Sequence, residues 1–331
     1  MKEQRMPKVS VVIPVYGVEK YIERCARYLF EQTLDDIEYL FIDDCTPDKS
    51  IEVLKRVLED YPHRKGQVII HRMEQNSGQA KVREWGMRNA TGEFLIHCDS
   101  DDWPEKQQYE KMYNVAITES ADLVFCDYYR VFPNGKKVYN SKNIFLKDKN
   151  DLVHRMLIGY HDINQLWSCL MRRELIQNIV YPEGNQGEDR VIMFQVINES
   201  KHISYLREAL YNYFINPESI QRTIKPGKLI ERAVHYAANV ELILSFLKRY
   251  NNIELYEEQM IFSKFEPRVI LSTGLYDKHC RDVWKQIFPE INGKILKNKY
   301  IPILSKFKEM LMQMHLGAIY GYTYYLIRKV L

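Results

Sequence analysis

The sequence predicts an α/β protein: a mostly parallel central sheet with helices on both faces, followed by a helical C-terminal region. Three observations carry this. Short apolar, β-branched runs alternate with stretches of helical spacing between residues 9 and 126, the pattern of consecutive βαβ units. Acidic groups stand where two of those runs end, at Asp43-Asp44 and Asp99-Ser100-Asp101-Asp102, and open α/β sheets bind ligands outside strand carboxyl ends. Beyond about residue 225 the alternation stops and only helical patterns remain.

The elements follow in order. Val9 to Tyr16 reads as a buried parallel strand, almost wholly apolar. Glu19 to Gln32 has helical spacing, with Tyr21, Ile22, Cys25, Tyr28 and Leu29 on one face. Glu38 to Ile42 is the second strand. Thr46 to Ser50 turns into a helix carrying Ile51, Leu54, Val57 and Leu58. Val68 to His71 is the third strand, and Asn76-Ser77-Gly78-Gln79 turns into a helix through Asn89. Phe94 to Ile96 is the fourth strand, Glu105 to Glu119 a helix, and Leu123 to Cys126 the fifth strand. Pro133-Asn134-Gly135 then predicts a hairpin between Tyr128–Val131 and Lys136–Tyr139. Gln165 to Met171 is expected as a strand, Glu188 to Asn198 as a helix, and Ile203–Leu206 and Leu210–Phe214 as two short strands. The expected division is a sheet domain over residues 1–225 and a helical region over 226–331.

Composition sets bounds. The chain has 331 residues, 46% apolar and 27% charged, enough for a real core. A net charge of +3 gives no reason to expect nucleic acid. The six cysteines are scattered with no CxxC pair, which argues against zinc. Several sit in apolar runs as free thiols, which points to a reducing, cytoplasmic compartment. Val9 to Val15 is apolar, but charged residues follow at once and no secretory signal is expected.

The run from Phe94 to Trp103 carries the chemistry. Three carboxylates fall within four positions, and along an extended chain Asp99 and Asp101 share a side. Like charges that close raise each other's pKa unless a cation lies between them. All-oxygen ligands suit Mn²⁺ or Mg²⁺, with substrate phosphates completing the shell. The bland alternative is an acidic loop in which Asp102 caps a helix starting near Pro104. A third acidic pair, Glu188-Asp189, follows a Gly-rich turn; it reads equally as ordinary first-turn helix charge.

These stretches, taken together and in order, resemble glycosyltransferase family 2, which has the GT-A fold. The matching residues are Val9 to Tyr16, Gln32-Thr33, Phe41 to Asp48, Asn76-Ser77-Gly78, Arg83, Ala90 to Phe94, Asp99 to Trp103, Tyr181 to Gly184 with Glu188-Asp189, Tyr211-Asn212-Tyr213 and Ser219-Ile220. The resemblance spans residues 7 to 223. It implies an inverting, metal-dependent transfer from a nucleotide-sugar donor, UDP-linked, to a saccharide or lipid-linked acceptor in surface glycan synthesis. Pro14 and Tyr16 are then expected to line the nucleotide pocket, and Asp44 to accept from the base. Gly78 and Arg83 are expected near the base and diphosphate, Asp99 at the ribose or a metal-bound water, and Asp101 and Asp102 at a Mn²⁺ or Mg²⁺ ion. Asp189 is expected as general base, with Glu188 beside it. Trp167 is expected against a sugar or in the core.

The chain departs from the family pattern at Gly17, Glu84 and Ser168-Cys169, where Asn, Asn and Asn-Lys are usual. The last swap removes a cation and motivates a rival reading, a non-catalytic nucleotide-sugar or glycan-binding subunit. A pyrophosphorylase-type transferase is a further rival, but no Gly-rich phosphate loop follows the first strand. In the tail, Met310 to Ile327 lacks Asp, Glu, Lys and Arg, is rich in Tyr, and follows a lysine-rich stretch. It is expected either as an interfacial helix on the anionic cytoplasmic leaflet or as a helix packed in the fold or in a homo-oligomer.

Overall fold

The computed structural model describes residues 6–142, 149–216, 225–250 and 253–330. The chain divides into two compact units. The first is Met1–Lys149, Asp162–Tyr181 and Gln195–Pro217; the second is Asn150–His161, Pro182–Phe194 and Glu218–Leu331. From Glu218 onward the chain belongs to the second unit. Two earlier segments, 150–161 and 182–194, already belong to that unit, and the second of them contains Glu188 and Asp189. The expected Ser219-Ile220 stretch lies outside the described residues.

The first unit is built on β1 (Val9–Val15), α1 (Ile22–Phe30), β2 (Ile37–Asp43), α2 (Ser50–Glu59), β3 (Val68–Arg72), α3 (Gln79–Asn89) and β4 (Phe94–His97). Then come β5 (Trp103–Pro104), α4 (Gln108–Thr118), β6 (Leu123–Val131) and β7 (Lys137–Asn140). β8 (Cys169–Arg172) and β9 (Ile203–Phe214) complete its strands; α5 (Lys149–Leu157) lies almost wholly in the second unit, and α6 (Glu188–Glu199) begins in the second unit and ends in the first. The sheet order is β3-β2-β1-β4-β8-β6-β9-β5, with β7 added on β6. β3, β2, β1 and β4 are mutually parallel, as are β6 and β9, whereas β8, β5 and β7 pair antiparallel.

The apolar runs form strands because they are buried on both faces. Val9, Val11, Val12, Ile13 and Val15 are fully inaccessible, each such side chain contributing about 1.5–3 kcal/mol of transfer free energy. The hairpin appears as expected, with Gly135 at φ +81 between β6 and β7. Two expected strands merge into one: β9 runs unbroken from Ile203 to Phe214, and its pairing with β6 slips at Cys126 to Tyr128. A bulge, rather than a turn, absorbs the polar Arg207-Glu208. Gln165 to Met171 is a strand only in its second half, following a 3₁₀ turn at Leu166–Ser168.

Ala90-Thr91-Gly92 proves to be a latch. The buried Glu38 carboxylate accepts from Ser10 Oγ, the Thr91 N–H and Thr91 Oγ1, and the Gly92 N–H donates to Ser10 Oγ at 2.8 Å. A Cβ on Gly92 would lie 2.7 Å from the Ser10 nitrogen, so only glycine fits there. The latch ties β1, β2 and the entry to β4 together at their amino ends, leaving the carboxyl ends free to carry the site.

The second unit adds α7 (Pro226–Arg249), α8 (Glu257–Leu271), α9 (Lys278–Gln286), α10 (Ile303–Gln313) and α11 (Gly317–Val330). Its core includes Leu229, Ala233, Val240, Phe265, Leu271 and Trp284. No helix among the described residues is long and apolar enough to cross a membrane.

Candidate active site

Parallel pairing brings the carboxyl ends of β1, β2 and β4 to one edge of the first unit. Tyr16, 43% exposed, leaves β1; Pro14 before it is half-buried. Asp43 and Asp44 end β2 and do different work. Asp43 is buried, accepts from the Thr46 N–H and pairs with Arg72 at 2.8 Å, so it braces the turn. Asp44 accepts from the Ser77 N–H at 2.7 Å and the Gly78 N–H at 2.9 Å. Gly78 needs its φ of +80 to present that N–H as α3 begins. Each Asp44 oxygen retains a second lone-pair direction, which suits an acceptor for a base N–H.

The Asp99–Asp102 turn follows β4, and its three carboxylates are not equivalent. Asp99 is partly exposed and pairs with Arg83, whose guanidinium is 5% exposed, at 3.1 Å. Arg83 reaches it from α3, so cation and carboxylate come from different elements. Asp101 accepts from Asn216 Nδ2 at 3.0 Å, and burial, together with the Asp99 charge, raises its pKa. Asp102, expected as a metal ligand, is 1% exposed and faces inward. Its oxygens accept from the Phe214 N–H at 2.7 Å and the Tyr211 hydroxyl at 3.0 Å. It holds the turn onto β9. Burial and its two acidic neighbours push its pKa well up.

Three residues that sequence reasoning gave no role complete the turn. The Tyr211 hydroxyl accepts the Asp99 N–H at 3.0 Å while donating to Asp102, so one buried group fixes both ends. Arg24 on α1 lies 3.7 Å from the Trp103 ring centroid and 4.7 Å from that of Phe214. It donates to the Asp101 carbonyl at 2.8 Å, placing a cation behind the carboxylates. Asn216 is the third. The Tyr-Asn-Tyr pattern hinted at Tyr211; nothing local to Arg24 marks it, because its partners lie 77 or more residues away in sequence.

A hard divalent ion fits this donor set. A partly exposed Asp99 beside an Asp101 that resists ionisation is relieved by a cation. Among the described residues no group of three or more His, Cys, Asp or Glu side chains gathers to ligate a metal. Two carboxylates alone would leave the other positions of such an ion to diphosphate oxygens and water, as Mg²⁺ or Mn²⁺ is usually held with nucleotides.

Trp167 stands 95% buried, stacked on Tyr211 at 4.3 Å and Tyr213 at 5.8 Å between centroids. Above it sits Lys142, 4% exposed, with its ammonium 5.6 Å from the Trp167 ring centroid and 5.7 Å from that of Tyr128. Lys142 donates to the Asp162 carbonyl and to Gln165 Oε1. Burial lowers its pKa to about 8. A cation thus stands beside Cys169 even though the local sequence has lost one there.

Glu188 and Asp189 open α6 in the second unit. Glu188 is buried; Asp189 is half-buried, and its Oδ1 accepts the N–H of Arg190 at 2.8 Å. The preceding turn is clasped by α7 and α8. Asn239 donates to the Gly184 and Gln186 carbonyls at 3.1 and 3.0 Å, and Arg232 to Gln186 Oε1 at 3.0 Å. Arg190, 3% exposed at its side chain, donates to Tyr236, Ser263 and Glu266 at 2.8, 2.8 and 2.6 Å. A Cβ on Gly184 would lie 2.9 Å from His235, so the turn lies flat on α7.

The profile described as glycosyl transferase family 2 matches residues 10–180. The chain belongs to glycosyltransferase family 2. Among curated relatives, the putative glycosyltransferase EpsH of Bacillus subtilis is 30% identical over 77% of this chain and 73% of its own. The cholesterol galactosyltransferase of Borreliella burgdorferi is 25% identical over 86% and 84%. The match spans 63% of B. subtilis EpsJ, an uncharacterised glycosyltransferase, and 32% of the glycosyltransferase GlyA of Streptococcus pneumoniae. Among solved structures, Staphylococcus aureus TarS 1–349 in complex with UDP-GlcNAc superposes with a TM-score of 0.56 at 18% identity, covering 96% of this chain and 89% of that one. The Pyrobaculum calidifontis mannosyltransferase PcManGT with GDP-Man and Mn²⁺ gives 0.52 at 14%, covering 98% and 88%. The fold of this family 2 chain is accordingly the GT-A type, with a helical C-terminal region.

Proposed function

We propose that this chain is an inverting, metal-dependent glycosyltransferase that moves a sugar from a UDP-linked donor to a saccharide or lipid-linked acceptor in cell-surface glycan synthesis. The observation that carries it is the Asp99–Asp101–Arg83 cluster at the strand ends, where a buried guanidinium and two carboxylates fit a metal-bound diphosphate. Structural neighbours that hold UDP-GlcNAc or GDP-Man with Mn²⁺ support the donor class. Relatives named for teichoic acid synthesis and poly(ribitol-phosphate) glucosylation support the pathway class.

In this reading Tyr16, Pro14 and Asp44 receive the nucleoside, with Gly78 beside them. Arg83, with its planar fork, steadies the diphosphate. Asp101, with Asp99 beside it, would hold a divalent ion, which would supply charge stabilisation for the leaving diphosphate. The acceptor hydroxyl oxygen forms its bond to the anomeric carbon as the bond to the diphosphate oxygen breaks. Asp189 takes the hydroxyl proton. The protein works as a peripheral protein at the cytoplasmic face of the membrane.

Asp101→Ala is expected to leave the chain folded and to abolish Mn²⁺-dependent nucleoside diphosphate release from a nucleotide sugar. Full turnover by that variant would refute the assignment. The swap at Ser168-Cys169 favours a second reading, a donor-binding subunit without transfer. A UDP-sugar that raises the melting temperature while no acceptor mixture releases UDP would select it.

A further inference from the structure

α10 is inside out. Its exposed side carries Ile303, Phe307, Met310 and Met314, at 78, 49, 38 and 58% exposure, with Leu304 alongside at 73%. The spacing of four, three and four residues makes a single stripe. Its buried side carries the charge. Glu309 is 2% exposed and accepts from Arg268 at 3.1 Å and from the Trp284 indole N–H at 2.9 Å. Arg268 is itself held by the Ile287 and Phe288 carbonyls and by Asn292. Rolling α10 to hide its aliphatic side would pull an ion-paired carboxylate out of its partners, so the stripe faces outward by construction.

The chain on either side of the stripe is basic in sequence, although Lys294 pairs with Glu257 at 3.1 Å. Between residues 291 and 323 stand Lys294, Lys297, Lys299, Lys306 and Lys308, and the single acid is Glu309, whose charge is spent internally. On α11, Ile319 and Tyr322 are 66 and 57% exposed, whereas Gly321 faces inward, where a Cβ would lie 2.1 Å from the Tyr276 nitrogen. The run expected to be interfacial, Met310 to Ile327, thus covers the end of α10 and most of α11; α11 is packed down at Gly321, and the larger exposed apolar face among the described residues belongs to α10.

We infer that the α10 stripe is a membrane-docking surface that inserts its aliphatic side chains among the acyl chains of an anionic bilayer while the flanking lysines meet the headgroups. An apolar face ringed by cations fits that interface. A second copy of the chain fits worse, because a two-fold axis through the stripe would bring Lys306 and Lys308 toward their own counterparts. The proposal rests on the peripheral placement above and not on the transfer chemistry.

The test is flotation of the full chain with vesicles of phosphatidylcholine alone or mixed with phosphatidylglycerol. Binding is expected only to the anionic vesicles and is expected to weaken as salt rises. Leu304→Glu with Phe307→Glu should abolish it, and Lys306→Ala should weaken it by about fivefold. Because Leu304 and Phe307 are exposed and Lys306 partly so, melting temperature and donor binding should not change, so a failure here is distinct from a failure of the enzymatic reading. Equal binding to neutral vesicles, no binding to either, or full binding by the double variant would overturn the proposal. So would a concentration-dependent dimer that the double variant dissociates and that vesicles do not.

Discussion

Glu266→Gln separates the two units' contributions. Glu266 compensates the buried Arg190 guanidinium at 2.6 Å, with side chains 11 and 3% exposed. Burial alone pulls Arg190 down, yet Glu266 and Tyr236 hold it above the ordinary guanidinium value. Removing one partner of such a pair costs about 3–5 kcal/mol, because the remaining charge is stranded. Glutamine keeps a carbonyl oxygen for one Arg190 N–H, so the loss should fall near the lower end. At ~2–4 °C per kcal/mol for a unit of this size, the melting temperature should drop by ~6–12 °C.

The functional consequence is sharper. Arg190 follows Asp189 directly, and its three hydrogen bonds to α7 and α8 fix the first turn of α6. Displacing a catalytic base by about 1 Å can cost about 100-fold in rate. The residues proposed above to bind the donor belong to the first unit, and Glu266 to the second. Calorimetry with UDP and Mn²⁺ should therefore show donor affinity unchanged within about twofold, while kcat falls by at least tenfold. The control is Arg190→Met with Glu266→Leu, which removes both charges and should recover most of the lost stability without recovering kcat. Full activity in that double variant, or a matching loss of donor affinity in Glu266→Gln, would refute a positioning role for Arg190.

The other predictions are briefer. Because the folded-state pKa of Asp101 is raised, its ionised form opposes folding at neutral pH; Asp101→Asn should raise the unfolding free energy there by ~0.5–2 kcal/mol. That gain should vanish in acid, where the carboxyl is protonated folded or unfolded, and urea unfolding across pH checks both limbs. Lys142 loses its proton near pH 8 when folded but holds it to about 10.4 when unfolded. Between those values the unfolded chain binds more protons, so stability should rise with pH by up to ~1.4 kcal/mol per unit. The difference between wild type and Lys142→Met should lose that slope. Tyr211→Phe removes the hydroxyl shared by Asp99 and Asp102 and should cost about 1–3 kcal/mol, with weaker Mn²⁺-dependent donor binding by calorimetry.

The strand-end cluster of the candidate site was legible because each part of it is local. A β-branched run ending in carboxylates announces a strand end, and parallel pairing of β1, β2 and β4 then gathers Tyr16, Asp44 and Asp99 without further information. Gly78 was marked by its turn and Arg83 by the family pattern. What escaped depends on distant pairing. Asp102 looks like Asp101 in sequence, and only the return of β9 more than a hundred residues later makes it a brace. Arg24 looks like any polar position on α1 until Trp103 and Phe214 close over it. Lys142 looks like a hairpin residue until Trp167 arrives beneath it.

Distance in sequence also explains why the helical region was hard to assign a purpose. Its patterns show helices, but a helix that carries Asn239, Tyr236 and Arg232 on the side facing a loop reads as an ordinary amphipathic one. The structure gives those side chains specific tasks: Asn239 donates to the Gly184 and Gln186 backbone carbonyls, Arg232 to the Gln186 side-chain oxygen, and Tyr236 accepts from Arg190. Backbone groups left over by an irregular turn must find partners or be solvated, and here α7 supplies them. A turn that owes its shape to a second set of elements can be retuned by changing those elements while the strand-end carboxylates stay untouched. In this chain the elements that hold the turn before Asp189 are α7, through Asn239 and Arg232, and those that hold Arg190 after it are α7 and α8.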